Sequence, residues 1–276
     1  MPFPISIIGR STAPVTHEID AAWLASFSRA VGDDLRGDLG HPLFPVCIEW
    51  LAVTAAARLD DGALLAAERR RGIHATHDLT IHRLLRAGDV VTTVATVEAL
   101  DTRRRGTFQR LRLDTRDAEG SIVATTMMGS MFIGVTVEGS PPNEVAHDEP
   151  AAASEPPPET TIPIAISADQ AREYSEASRI WNPIHTDADA AVAAGLSAPI
   201  VHGTCTLALA TSAALAWAGT DRGAVRRIAV RFAGMVAMPS TLELRIARPA
   251  RDELRFAVVD SAGAPALRDG RVTFGL

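Results

Sequence analysis

The sequence contains no lysine; all 27 of its basic residues are arginine. This absence excludes Schiff-base chemistry on a lysine amine, and with it the ordinary pyridoxal phosphate enzymes. It also removes the lysine that a phosphate-binding P-loop needs. Phosphate esters stay open as ligands, coenzyme A among them, because a guanidinium grips phosphate with two parallel hydrogen bonds. Cysteine is nearly absent too. Cys47 and Cys205 lie far apart in apolar surroundings and read as two reduced core thiols. No run is long enough for a membrane span, since the longest apolar stretch, residues 204–219, is short and rich in Ala and Thr. The N-terminus MPFPISIIGR lacks a basic region and a cleavage site, so a soluble, cytoplasmic protein is expected. HExxH, GxSxG, CxxC and Gly-rich dinucleotide or phosphate loops are all missing. No metal is expected either. His74, His77 and His82 sit at spacings of three and five within a strand and do not all face one side, and no Cys or Glu completes a zinc set.

What is present is enough for a sizeable core. The 276 residues are 47% hydrophobic, and a net charge of −6 argues against a nucleic-acid partner. Residues 14–31 begin polar and pass into a helical pattern with Trp23, Leu24, Phe27 and Val31 at spacings of three and four, ending at Gly32-Asp33-Asp34. His41-Pro42-Leu43-Phe44-Pro45 reads as an extended connector, and residues 47–65 as a mostly buried helix. Strands are then expected at 74–85, 90–100, 108–115 and 122–137, with a hairpin turn at Asp117-Ala118-Glu119-Gly120. Residues 139–161 hold six prolines and clustered acids and read as a linker.

The second half repeats the first. Phe27-Ser28-Arg29-Ala30 corresponds to Tyr174-Ser175-Glu176-Ala177 at an offset of 147, and the turn at Gly120 to that at Gly263 at 143. Gly88-Asp89 corresponds to Pro239-Ser240 at 151. A helix over 169–178, a short one over 188–194 and a long one over 204–217 precede strands at 225–234, 241–248, 253–260 and 266–274. The expectation is an α+β chain of two units, 1–138 and 162–276, each a long helix wrapped by an antiparallel sheet.

The polar islands of the second half carry the candidate chemistry. His185 follows the turn signal Asn182-Pro183 near a helix end, where an imidazole can carry a proton near neutral pH. Asp187 either orients that ring or caps the helix after it, capping being the more ordinary role. His202-Gly203 stands where an apolar run meets the long helix, with Thr204 as a possible cap. The first N–H groups of that helix have no internal partner, and Gly203 lets a carbonyl oxygen approach closely. Arg103-Arg104-Arg105 falls in a hairpin tip, either touching a phosphate or simply solvated.

Taken together, residues 174–178, Asn182-Pro183-Ile184-His185-Thr186-Asp187, Gly195 and Ile200-Val201-His202-Gly203-Thr204-Cys205-Thr206 resemble the MaoC-like R-specific enoyl-CoA hydratases. The specific motif covers residues 174–206 and the looser likeness nearly the whole chain. The resemblance implies a double hot-dog fold and reversible hydration of a trans-2-enoyl thioester to the 3R-hydroxyacyl thioester. It implies His185, Asn182 and Gly203 as catalytic residues, with His202, Thr204 and Asp187 at the substrate. The thioester of CoA or of an acyl carrier protein is the substrate, with no further cofactor, and pairing of chains into a homodimer is open. The family reads Ser-Gly-Asp-x-Asn-Pro-x-His, whereas this chain reads Ser178-Arg179-Ile180-Trp181-Asn182-Pro183-Ile184-His185. The catalytic Asp is therefore replaced by Ile180. Three readings follow: a hydratase using His185 with another acid, such as Asp187 or Glu176, or with water held by Asn182; a non-catalytic acyl-thioester-binding subunit; and a thioesterase.

Overall fold

A computed structural model describes residues 2–33, 38–139 and 156–275; residues 34–37 and most of the expected linker, 140–155, lie outside it. The first half runs β1 (Val15–Glu18), α1 (Ala21–Ala30), α2 (Pro45–Ala56), α3 (Ala66–Arg69), β2 (Gly72–Ile81), β3 (Val90–Arg103), β4 (Gly106–Asp117) and β5 (Ile122–Ile133). The second runs β6 (Thr160–Ile166), α4 (Gln170–Ser178), α5 (Ala188–Ala193), α6 (Gly203–Ala218), β7 (Val225–Phe232), β8 (Ser240–Ala250), β9 (Glu253–Asp260) and β10 (Pro265–Phe274). The ten strands form one antiparallel sheet in the order β1-β3-β4-β5-β2-β7-β10-β9-β8-β6. The order is the same read from either edge once β1 to β5 are matched with β6 to β10. The halves join at β2–β7, where His77 lies opposite Val230 and Leu79 opposite Ile228. This is the α+β double hot-dog arrangement.

The packing follows from the sequence of the long helices. α6 is Ala-, Leu- and Thr-rich with no charged residue and has buried residues around most of its circumference, as a helix enclosed by a curved sheet must. Its buried hydroxyls are satisfied within the helix, Thr211 donating to the Leu207 carbonyl and Ser212 to that of Ala208. Ile48 of α2 and Leu207 and Ala208 of α6 belong to a single core cluster that crosses between the halves. Both cysteines are buried and free. Among the described residues no helix is long and apolar enough to cross a membrane.

Several elements differ from the sequence expectation. β1 and β6 carry no strand pattern that the sequence reveals. Each is an edge strand with one partner, and β6 carries Pro163, which an edge tolerates because its missing N–H costs no second ladder. β6 starts at Thr160, two residues inside the segment read as linker. The helix expected over 47–65 ends at Ala56, and the chain turns through Asp60-Asp61-Gly62, where Asp61 and Gly62 have positive φ. Two of the three strand histidines come together where plain alternation would separate them, while His82 stays apart from the pair. The β2–β5 register slips between His74 and Thr76, and this bulge turns His74 toward His77, their rings 5.5 Å apart. Among the described residues no group of three or more His, Cys, Asp or Glu is placed to hold a metal.

The N-terminal half also buries a carboxyl. Glu49 on α2 is 3% exposed and accepts a hydrogen bond from the Thr126 hydroxyl at 2.6 Å. Burial pushes it from 4.5 up to about 7. The folded state thus keeps a proton that the unfolded chain releases above its ordinary value, so stability falls as pH rises from 4.5 toward 7. Glu49→Gln keeps the acceptor and removes this loss. Urea unfolding is expected to show a gain of about 3 kcal/mol at pH 8 and almost none at pH 4. An equal gain at both pH values would contradict the assignment.

Candidate active site

α4 supplies the floor of the site. It ends at Arg179, which takes a left-handed conformation at φ 59°. A side chain there is strained by about 1–2 kcal/mol. The guanidinium offsets this by lying 3.7 Å over the Trp23 ring and 3.6 Å from Asp20, while the Trp23 indole N–H donates to the Ala177 carbonyl at 3.0 Å. Gly32, in the equivalent place after α1, has φ 66°. Arg179 therefore shares the left-handed backbone of its glycine counterpart in the first half.

Ile180 follows, 6% exposed and packed in the core cluster. The chain then enters a short 3-10 turn, Pro183–His185, which Asn182 caps by accepting from the Ile184 N–H. His185 ends that turn. Its Nδ1 lies 2.8 Å from the Ile200 carbonyl, and a carbonyl only accepts. Nδ1 must therefore carry the proton, leaving Nε2 as the lone-pair nitrogen. The His185 ring stacks on His202, centroids 3.6 Å apart at 26°. His202 is 3% exposed, and its Nε2 lies 3.3 Å from the Ser175 hydroxyl. Burial first, and then the neighbouring His185, push His202 down to about 2, against an opposing effect of the Ile180 backbone. His185 is also lowered, by burial, with the Ile200 carbonyl acting the other way. Both rings are neutral at pH 7, and His185 stands ready as a base.

The helix α6 begins beside this stack. Gly203 is its first residue, solvent-exposed, with an N–H that has no intrahelical acceptor. A Cβ at Gly203 would stand 2.9 Å from the Phe232 ring, so the glycine is what lets β7 close over the helix start. Thr204 accepts a hydrogen bond from the buried Tyr174 hydroxyl at 3.0 Å, and the Tyr174 ring lies 5.0 Å from that of His202. Two neutral imidazoles, a free helix N-terminus and a phenol–threonine bond thus meet at one end of α6. The site offers a single proton carrier and one backbone donor for developing negative charge.

The structure brings together His185, His202, Gly203 and Thr204, with Asn182 one turn away. Asp187 is engaged elsewhere, its exposed carboxylate capping α5 by accepting from the Ala190 N–H at 2.8 Å. Glu176 pairs with Arg172 on the exposed face of α4. Neither acid is hydrogen-bonded to His185, so the acids suggested as substitutes for the missing Asp do not serve in that role here. The Ile200 carbonyl, Ser175 as a partner of His202, and Phe232 are functional neighbours that sequence reasoning misses. All three come from separate elements; Ser175 and Ile200 lie within the residues that carry the family likeness, but nothing in that likeness gives them these roles.

The first half has the matching place but not the matching chemistry. The Leu39–Arg86 bridge mirrors Ile200–Ala237, and Gly40 donates to the Leu85 carbonyl as Val201 donates to that of Val236. His41-Pro42 is therefore the counterpart of His202-Gly203. Pro42 has no N–H to offer. His41 accepts at Nδ1 from the Leu43 N–H and reaches Ser212 with Nε2, locked in the core at 1% exposure. Asp33, the counterpart of Ile180, is ion-paired with Arg222 at 2.7 Å.

Comparison with known proteins decides the family. The chain is 32% identical over 215 residues to 3-hydroxyacyl-thioester dehydratase Y of Mycobacterium tuberculosis, covering 73% of this chain and 72% of that one. The chain belongs to the MaoC-like dehydratase family. The MaoC like domain profile itself matches residues 150–263. Peroxisomal multifunctional enzyme type 2 of Drosophila melanogaster is 31% identical over 130 residues, 46% of this chain and 22% of that protein, so the chain spans about a fifth of that relative. Among solved structures, the MaoC-like dehydratase from Phytophthora capsici aligns over 98% of both chains with a TM-score of 0.80 at 22% identity. A double hotdog protein of Mycobacterium tuberculosis aligns over 96% of this chain and 95% of its own, with a TM-score of 0.65 at 16% identity. These two likenesses speak to the fold.

In this MaoC-like chain the Tyr174–Thr204 bond ties α4 to the helix start. Thr204→Val leaves a fully buried phenol unpaired and is expected to lower stability by about 1–3 kcal/mol in urea unfolding. Adding Tyr174→Phe should recover most of that loss, whereas simple additivity of the two changes would contradict the pairing.

Proposed function

We propose that the protein is an acyl-thioester hydro-lyase that interconverts a trans-2-enoyl thioester and its 3R-hydroxyacyl thioester. The observation that carries this reading is the Nδ1-protonated, neutral His185 beside the free N–H of Gly203. In the hydration direction, Nε2 of His185 takes a proton from water as the water oxygen bonds to C3. The C2–C3 double-bond electrons move toward the carbonyl, and the resulting enolate oxygen is held at the Gly203 N–H, a donor worth about 3 kcal/mol. His185 then returns the same proton to C2 and the carbonyl re-forms. Water has added across the double bond, and the histidine is unchanged.

One group can do both transfers because the proton taken from water is the proton delivered to carbon. That matters here, since Ile180 neither accepts nor donates a proton. Losing a separate acid costs about 10²–10⁴ in rate, so a slow hydratase is expected rather than an inert one. Asn182 holds the turn that presents His185. The thioester needs no other cofactor, and the second half, from β6 at Thr160 onward, carries the site while the first half completes the sheet. We place the reaction in the cytoplasm. The replacement of the family Asp by Ile180 specifically favours a second reading, a non-catalytic subunit that binds acyl thioesters.

The two readings separate on turnover. With crotonyl-CoA or a longer enoyl-CoA, the purified protein should consume the enoyl absorbance, and His185→Ala should cut kcat/KM by at least about 100-fold. Measurable binding of the esters with no turnover at any chain length would instead favour the binding subunit.

A further inference from the structure

Two arginine-rich clefts open on the sheet, and they use their charge differently. One, of about 290 Å³, has Arg227, Arg245, Arg255 and Arg271 in its lining. Each of these is paired: Arg227 with Asp78, Arg245 with Glu243, and Arg255 and Arg271 with Glu253. Three carboxylates thus offset most of the charge of these four arginines.

The other, of about 430 Å³, lies between the tip of the β3–β4 hairpin and the ends of β2 and β7, lined by Arg103, Arg104, Arg105, Arg231, Phe108 and Phe232. Arg104 and Arg105 are exposed and have no ion-pair partner among the described residues. Arg231 is only loosely engaged, 3.7 Å from Asp269, and the Arg103 guanidinium lies over the Phe108 ring at 5.5 Å. Arg71 adds a further guanidinium beside Gly134, whose N–H donates to the Arg105 carbonyl at 2.8 Å. In a chain of net charge −6, this is a concentrated positive recess. It also adjoins the site. The Phe232 ring that lines the cleft is the ring that closes over Gly203.

We propose that this cleft is an organophosphate subsite that holds the nucleotide phosphates of coenzyme A, contributed by the first half of the chain to the site of the second. The placement of the thioester at Gly203 rests on the hydro-lyase reading; the phosphate subsite itself does not. The number of guanidiniums selects the ligand. A phosphopantetheine arm on a carrier protein offers one phosphodiester, while coenzyme A offers a diphosphate and a 3′-phosphate to several arginines, each able to form charge-assisted bonds. The Phe108 and Phe232 rings add flat apolar surface beside the charge.

Adenosine 3′,5′-bisphosphate, which has neither acyl group nor thiol, tests the subsite on the full chain by calorimetry. The wild type should bind it saturably, more weakly as salt rises. Arg104→Glu with Arg105→Glu should weaken binding about tenfold or more, with an unchanged circular-dichroism spectrum, while Arg116→Glu, exposed at the opposite end of β4 from the hairpin tip, should not. No binding by the wild type, equal binding by the double variant, or phosphopantetheine binding as tightly as the bisphosphate would overturn the proposal. Turnover keeps the two claims apart. Bisphosphate binding without hydration of any enoyl-CoA leaves the subsite standing and removes the hydro-lyase reading. Hydration of an enoyl-CoA with an unchanged KM in the double variant removes the subsite and leaves that reading.

Discussion

Five residue pairs between β2 and β7, from Thr76 opposite Arg231 to Thr80 opposite Arg227, turn two five-stranded sheets into one. The rest of the molecule depends on this ladder. It places Phe232 at the end of β7 beside His74 of β2, ring centroids 4.5 Å apart, and that ring shapes the approach to Gly203. It also gives α6 its enclosure, which is why the helix dispenses with charge and why its only openly unsatisfied donors are at its N-terminus. The active end of the second half is thus built partly by the first.

Duplication explains how the chain tolerates its own losses. The first half gave up the donor at Pro42 and buried its imidazole at His41, yet kept an acid at Asp33. The second half kept the donor at Gly203 and an addressable imidazole at His185, yet lost the acid to Ile180. Asp33 does not repair the deficit, because Arg222 holds it. The two halves keep the same backbone, down to the left-handed turn at Gly32 and Arg179, while their side chains differ. Backbone geometry is fixed by the sheet and the helix packing, whereas site chemistry is fixed by a few side chains that packing leaves free to change.

Much of this is legible in the sequence, and what is not has physical causes. Helix-then-sheet order and the internal repeat are readable from turn residues at matching offsets, because turns are specified locally. The edge strands β1 and β6 are not, since a short strand with one partner needs little β pattern, and Pro163 argues against one. The shared face of His74 and His77 is hidden by a bulge at Ala75, which an alternating pattern cannot register. At the site, His185, Asn182 and Gly203 are legible as a motif. Their partners are not: the Ile200 carbonyl, Ser175 and Phe232 come from a loop, a helix and a strand far apart in sequence. Asp187 is ambiguous in the sequence, and the hydrogen bond to Ala190 makes it a cap.

The proposed hydration rests on a single histidine acting over one backbone donor, because His185 pairs with a carbonyl rather than a carboxylate. A base acts when deprotonated, and burial lowers the value of His185 below 6.5. The pH dependence of kcat/KM for an enoyl-CoA therefore reads out this one ionisation. One ionisation is predicted, with activity lost only as pH falls below 6.5 and a plateau from there to about pH 9. A bell-shaped profile, with a second limb falling on the alkaline side, would reveal a separate acid and rule out hydration by His185 alone.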